Sequence, residues 1–212
     1  MFNAETILVV APHADDCEIG CGGTVARLVE EGNTVYCATI CVKWNGALPE
    51  GNSGRNWLKE QETASEVLGT RLITFDRPYY NRGLQNNMDS MMDELWNLKE
   101  RLKPDLVFIP STFDVHQDHK AVSEAGVRIF KGSTLLGYEL FWNHIGLHQT
   151  QAYVRLDKRH IDKKIKAIEV FESQTWRPFC DPTITEGHAR CRGVQIGAQY
   201  AESFEVIRWV NL

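Results

Sequence analysis

Residues 6–11, TILVVA, are apolar at every position but the first, with no alternation of polar and apolar side chains. A strand of that kind cannot leave one face in water and belongs inside a sheet covered on both sides, as parallel strands are. The run then ends abruptly in PHADD (12–16), and only afterwards reaches the glycines at 20, 22 and 23. A nucleotide-binding fold places glycine at that strand end. This chain places a histidine and two adjacent aspartates there, all potential metal ligands.

Further strand-like and helix-like segments alternate along the chain. Strands are expected at 34–41, 71–75, 105–110, 135–141 and 204–210. Helices are expected at about 22–31, 57–68, 88–102 (stopped by Pro104) and 119–130. Another follows a cap at Asp157, with Ile161, Ile165 and Ile168 on one face. This order predicts an α/β fold, a Rossmann-like three-layer sandwich with a mostly parallel sheet. With 212 residues, 43% hydrophobic content, no internal repeat and no linker, one domain over 1–212 accounts for the whole. Three stretches resist regular structure: 43–56, 76–86 and 175–190. Each mixes Gly, Pro or Asn with aromatic and arginine side chains, as the walls of a pocket would.

Charge and cysteine content exclude several classes. A formal charge of -5 offers no attraction for nucleic acid or an anionic membrane. No window approaches the ~20 apolar residues of a membrane span, and the start MFNAETILVV lacks the pattern of a secretion signal. A cytoplasmic location is expected. The cysteines at 17, 21, 37, 41, 180 and 191 form no CxxC pair and read as reduced. Cys17 and Cys21 have a spacing that suits ligation on a helix, but small buried side chains at a strand-to-helix junction explain them as well.

Parallel sheets gather their ligand sites at the carboxyl ends of strands. His13, Asp15 and Asp16 follow the first strand there, and DVHQDHKAV (114–122) follows the strand at 105–110 in the same sense. Each cluster alone also fits a helix-capping turn or a solvated helix start. Together they can converge on one metal, for which His13, Asp16 and His119 supply three donors, with an open position left for water. Adjacent aspartates point in different directions, so only one of Asp15 and Asp16 is expected to ligate, and a carboxylate left beside that water is a natural general base.

PHADDCEIGCGGT resembles the PHxDDxExGxGGT signature of the LmbE-like (PIG-L) zinc-dependent de-N-acylases, and DVHQDH resembles their DxHxDH motif. KPDLVFIPSTFD and the tail RCRGVQIGAQYAESFEV also resemble that family's segments. The resemblance implies one zinc per chain on His13, Asp16 and His119, with iron(II) as another occupant of such a set. It implies that Asp15 deprotonates the attacking water, that His116 stabilises the oxyanion or acts as an acid, and that Asp118 orients a histidine. A raised His116 pKa, caused by Asp114 or Asp118, is expected for that role. The implied activity removes an N-acetyl group from a small amino sugar or its conjugate, and a homo-oligomer is expected.

Glu18, Trp44, Arg55 and Tyr80 are the candidate substrate contacts; Glu18 also suits a histidine's second nitrogen, and Tyr79, Arg82, Trp142 and Arg177 are further candidates. Gly20, Gly22 and Gly23 read as close helix packing rather than phosphate binding. Other classes remain in view: an amidase or deformylase acting on a non-sugar amide, and a non-catalytic metal- or nucleotide-binding protein.

Overall fold

The computed structural model describes residues 4–42, 57–75, 83–145 and 149–210. Its strands are β1 (Thr6–His13), β2 (Thr34–Cys41), β3 (Arg71–Thr74), β4 (Leu106–Pro110), β5 (Thr134–Tyr138), β6 (Ala152–Leu156) and β7 (Tyr200–Arg208). Its helices are α1 (Asp16–Glu30), α2 (Trp57–Leu68), α3 (Met88–Leu102), α4 (Gln117–Ile129), α5 (Lys158–Glu169) and α6 (Pro182–Val194).

All seven strands form one sheet in the order β3-β2-β1-β4-β5-β7-β6, and β7 alone runs against the rest. The expected α/β sandwich with a mostly parallel sheet is therefore present. Strand alternation sorts β1 between two layers. Ile7, Val9 and Ala11 pack with α1, α2 and α5 through Leu28, Leu68, Ile161 and Ile168. Leu8 and Val10 pack on the other face with Met91, Leu95 and Val122 of α3 and α4. These side chains are almost entirely buried, which is why the sequence of β1 carries no polar alternation.

The chain leaves β1 toward β2 and β3 on one side, then returns to build β4 and β5 on the other. The crevice between the carboxyl ends of β1 and β4 is thus a topological switch point, where open α/β sheets bind ligands. Both motifs open into it.

Several boundaries differ from the sequence expectation. Helix α1 begins at Asp16 and is broken at Cys21 (φ -145, ψ 18), so the periodicity visible from residue 22 marks only its second segment. Strand β6 was not anticipated; its five residues sit at a sheet edge. The stretch 175–190, read as irregular, contains the start of α6. Asp181 caps that helix, its carboxylate accepting from Thr183 N–H (2.7 Å), and Pro182 opens it. The cap at Asp157 is present, with a reciprocal bond from Asp157 N–H to His160 Nδ1 (3.0 Å). Among the described residues, no helix is long and apolar enough to cross a membrane.

Candidate active site

Strand β1 ends at His13, and the chain turns into α1 through Ala14 and Asp15. Asp15 occupies the left-handed region (φ 91, ψ -25), which a non-glycine residue adopts only when its surroundings impose it. This turn folds the Asp16 carboxylate back, so that its Oδ2 accepts from His13 N–H at 2.9 Å. Across the crevice, β4 ends at Pro110, and a loop leads to α4, whose first turn carries Asp118 and His119.

The two corners meet atom to atom. His13 Nδ1 lies 3.2 Å from Asp16 Oδ2, His119 Nε2 lies 3.3 Å from the same oxygen, and the two nitrogens are 3.3 Å apart. Each ring's other nitrogen faces a buried carboxylate: His13 Nε2 is 2.9 Å from Asp118 Oδ2, and His119 Nδ1 is 2.7 Å from Asp114 Oδ2. An ionised carboxylate only accepts, so both outer nitrogens carry hydrogen. The lone pairs of a neutral His13 Nδ1 and His119 Nε2 are then directed at the shared point beside Asp16. Asp118 Oδ1 also accepts from Leu84 N–H (3.1 Å), which anchors the end of the 76–86 stretch.

His116 stands at the N-cap of α4. Its Nδ1 accepts from Asp118 N–H (3.2 Å), and one nitrogen of His116 falls within 4.8 Å of donor nitrogens on His13 and His119. The expected rise in its pKa does not occur. Burial, then repulsion from His119 and His13, drives His116 down to about 4, because the Asp114 and Asp118 carboxylates face His119 and His13 instead. Since a backbone N–H can only donate, Nδ1 must accept, and the neutral His116 ring carries its hydrogen on Nε2.

The other groups respond to the same crowding. Burial lowers the His119 pKa, but Asp16 and Asp114 outweigh it and raise it to about 10. Burial also opposes ionisation of Asp16, yet the two imidazoles hold it well below the usual carboxylate range. Asp15 has no such imidazole contact. Burial, then the charge of Asp16, pushes it up to about 8, and its Oδ2 makes no hydrogen bond among the described residues; Arg177 Nη1 is 4.0 Å away. A buried carboxylate pair with donors trained on one point and an unsatisfied oxygen beside it fits a bound cation.

These groups line a cavity of about 160 Å³, together with Ala14, Trp57, Trp142, Asn143, Arg177 and Phe179. Trp142 and Phe179 stack with centroids 3.8 Å apart, and the Arg177 guanidinium lies over Phe179 and Trp176. Trp57, Asn143 and Phe179 were not anticipated. Phe179 and Arg177 belong to the stretch 175–190 already read as a pocket wall, which is the signal that could have found them.

Glu18, expected as a substrate contact, is not among the described residues that line the cavity. It is fully buried and accepts from Gln61 Nε2 at 2.8 Å; burial raises its pKa to about 7. Trp44, Arg55 and Tyr80 lie outside the described residues, as do Tyr79 and Arg82. His144, His160 and His188 bind elsewhere, to Leu140 O, Glu30 and Glu139 respectively. None of the six cysteines is in a disulfide, and Cys17, Cys21, Cys37 and Cys41 are buried.

The glycines of α1 have packing roles. A Cβ at Gly20 would meet Tyr138 at 2.4 Å, and one at Gly23 would meet Leu156 at 2.7 Å. Where α1 restarts after its break, the N–H groups of Gly23 and Thr24 donate to the Glu202 carboxylate (3.0 and 2.6 Å), which also holds Lys164 (2.6 Å). The N–H groups at this restart, which could otherwise receive an anion, are already filled from within the fold.

With this geometry in hand, residues 8–130 match the PIG-L family, described as GlcNAc-PI de-N-acetylase. The chain belongs to the PIG-L family. Among its relatives, an uncharacterized deacetylase of Escherichia coli, YaiS, is 31% identical over 144 residues, covering 63% of this chain and 72% of that protein. Diacetylchitobiose deacetylase of Thermococcus kodakarensis is 25% identical over 250 residues, covering 100% of this chain and 86% of its own length. The solved N,N'-diacetylchitobiose deacetylase of Pyrococcus horikoshii superposes with a TM-score of 0.79 at 24% identity, covering 97% of this chain and 84% of that one. That likeness shows the fold, and the PIG-L match spans both metal-motif corners.

Proposed function

We propose that this PIG-L protein is a metal-dependent N-deacetylase of amino-sugar conjugates, with Asp15 as general base. The observation that carries the reading is the triangle of His13 Nδ1, Asp16 Oδ2 and His119 Nε2, with edges of 3.2–3.3 Å. Ligands about 2.0–2.1 Å from a tetrahedral ion are spaced roughly 3.3–3.4 Å apart, so the three atoms need almost no movement to hold one. His116 is a fourth nearby donor, with one nitrogen within 4.8 Å of those of His13 and His119, but its Nδ1 is taken by the α4 backbone. A divalent cation bound there, zinc or iron(II), supplies Lewis acidity toward the amide carbonyl and lowers the pKa of a water to about 7.

The protein's own groups account for the remaining chemistry. Asp15 lines the cavity and its buried Oδ2 has no hydrogen-bond partner among the described residues, which supports a role in taking a proton from the attacking water and returning it to the departing nitrogen. The neutral His116 ring offers an Nε2–H donor to the developing oxyanion. Asp118 and Asp114 hold the tautomers of His13 and His119. Trp57, Trp142 and Phe179 give the cavity apolar walls of the kind that pack against a sugar ring. The names of the chitobiose deacetylase relatives favour an N-acetylated amino sugar as substrate.

The test is amine release from a panel of N-acetylated amino sugars, before and after metal removal by a chelator. Release that disappears on chelation and returns with zinc or iron(II) is expected. Release from N-formyl or non-sugar amides alone would move the assignment to an amidase or deformylase.

A further inference from the structure

We infer that Gln61 is a positioning residue for Asp15, tying the strained strand-to-helix turn to α2 so that the Asp15 carboxylate faces the cavity. Asp15 is the one non-glycine residue of this corner with positive φ, and such a conformation persists only where neighbouring contacts over-determine it. On its carbonyl side the contact is ordinary: Ile19 N–H donates to Asp15 O at 2.9 Å, inside α1. On its amide side the helix supplies nothing, because N-terminal N–H groups have no partner within their own helix. The partner comes from another element. Asp15 N–H donates to Oε1 of Gln61 at 3.3 Å, and Gln61 is fully buried on α2, one turn after Trp57 in the cavity wall.

The other end of the same amide fixes its orientation. Gln61 Nε2 donates to Glu18 Oε1 at 2.8 Å, and Glu18 lies in the first turn of α1. A backbone N–H can only donate, so Oε1 must face Asp15 and the amide NH2 is left to donate to Glu18, which gives the amide one orientation. One buried side chain therefore grips the corner on both sides of the metal ligand Asp16. The Asp15 side chain contributes nothing to holding its own backbone, since it makes no capping bond. The function of the tie rests on the deacetylase reading, in which Asp15 is the base; the tie itself does not.

The test compares full-length, metal-loaded wild type with Gln61→Met, which keeps the volume and loses both bonds, and with the double variant Glu18→Gln/Gln61→Glu. In the double variant the new amide donates to the new carboxylate, whose other oxygen still accepts from Asp15 N–H. Four quantities are read: hydrogen exchange of the Asp15 amide by NMR on aspartate-labelled protein, metal per chain, and kcat and KM for amine release. Gln61→Met is expected to exchange the Asp15 amide faster and to lose about 10–100-fold in kcat, with KM and metal content unchanged. The double variant is expected to regain both protection and kcat, which a space-filling role would not produce.

An Asp15 amide in Gln61→Met that exchanges as in wild type overturns the inference, as does an unchanged kcat with metal retained. So does a folded double variant that leaves the amide unprotected, and this arm decides the matter should Gln61→Met fail to fold. Wild type that releases no amine from any substrate counts against the deacetylase reading, while the exchange measurement still decides the role of Gln61.

Discussion

Helix α1 touches two buried carboxylate clusters, one at each end of its break at Cys21, and they are built to opposite specifications. At the restart of the helix, Glu202 receives two backbone N–H groups and the Lys164 ammonium, so its charge is matched inside the protein. At the start of the helix, Asp16 faces two imidazoles that are themselves backed by Asp114 and Asp118, and Asp15 is left with an oxygen that makes no hydrogen bond among the described residues. Both clusters are almost completely buried. The closed one fastens β7 and α5 to a glycine-rich segment. The open one has the makings of a site, because its demand is not met among the described residues. Burial of charge does not by itself distinguish structure from function; whether the local account of donors and acceptors closes does.

The difference can be broken most severely at Asp15. Asp15→Gly is expected to lower kcat for amine release by about 10²–10⁴ while leaving the metal in place. The same change relieves the positive φ, so thermal stability should hold or rise, a separation of activity from stability that steady-state kinetics and a melting curve would record together.

At the closed cluster the consequences should invert. Lys164→Met leaves Glu202 with only backbone partners and should cost about 3–5 kcal/mol in urea unfolding. Metal content and kcat of the folded fraction should stay at wild-type levels.

A smaller effect is expected from Asp118→Asn. It keeps the shape beside His13 but removes the charge that holds the ring's tautomer, weakening metal affinity about 10–100-fold in a competition titration. The mildest test leaves the sequence intact. In the metal-free chain, Asp15 is raised to about 8 and His119 to about 10, so the folded state holds protons the unfolded state has released. Stability should therefore fall as pH climbs: for Asp15 from the ordinary carboxylate range through about 8, and for His119 from about 6.5 through about 10. The depressed Asp16 acts only at the acid end, where stability is lost as pH drops. Metal takes the place of the His119 proton and its charge favours the ionised form of Asp15 beside it, so the loaded chain should lack the alkaline slope.

The open cluster was far more legible in the sequence than the closed one. His13, Asp16 and His119 declare themselves because ligand-type residues interrupt apolar strands at their carboxyl ends, and the parallel connections bring those ends together. Asp114 was visible but assigned to the wrong ring, since loop geometry decides that its carboxylate reaches His119 rather than His116. Gln61 gives no sequence signal, because a polar residue in an amphipathic helix reads as a solvated position until the tertiary packing buries it. Glu202 and Lys164 hide for a related reason: each lies in a regular element, and they meet the glycines of α1 across a separation of about 140–180 residues. Edge strand β6 is only five residues long, and α6 was concealed within a stretch rich in loop-forming residues although Asp181-Pro182 marks its start.

The central claim is that the open cluster holds one divalent ion on His13, Asp16 and His119. The most direct test is an anomalous-scattering crystal structure of the tag-free protein equilibrated with zinc. The account predicts one strong peak about 2.0–2.2 Å from His13 Nδ1, Asp16 Oδ2 and His119 Nε2, with Asp15 beside it and not bound to it. A peak held by His116 in place of Asp16, or no peak in this crevice at full zinc loading, would contradict it.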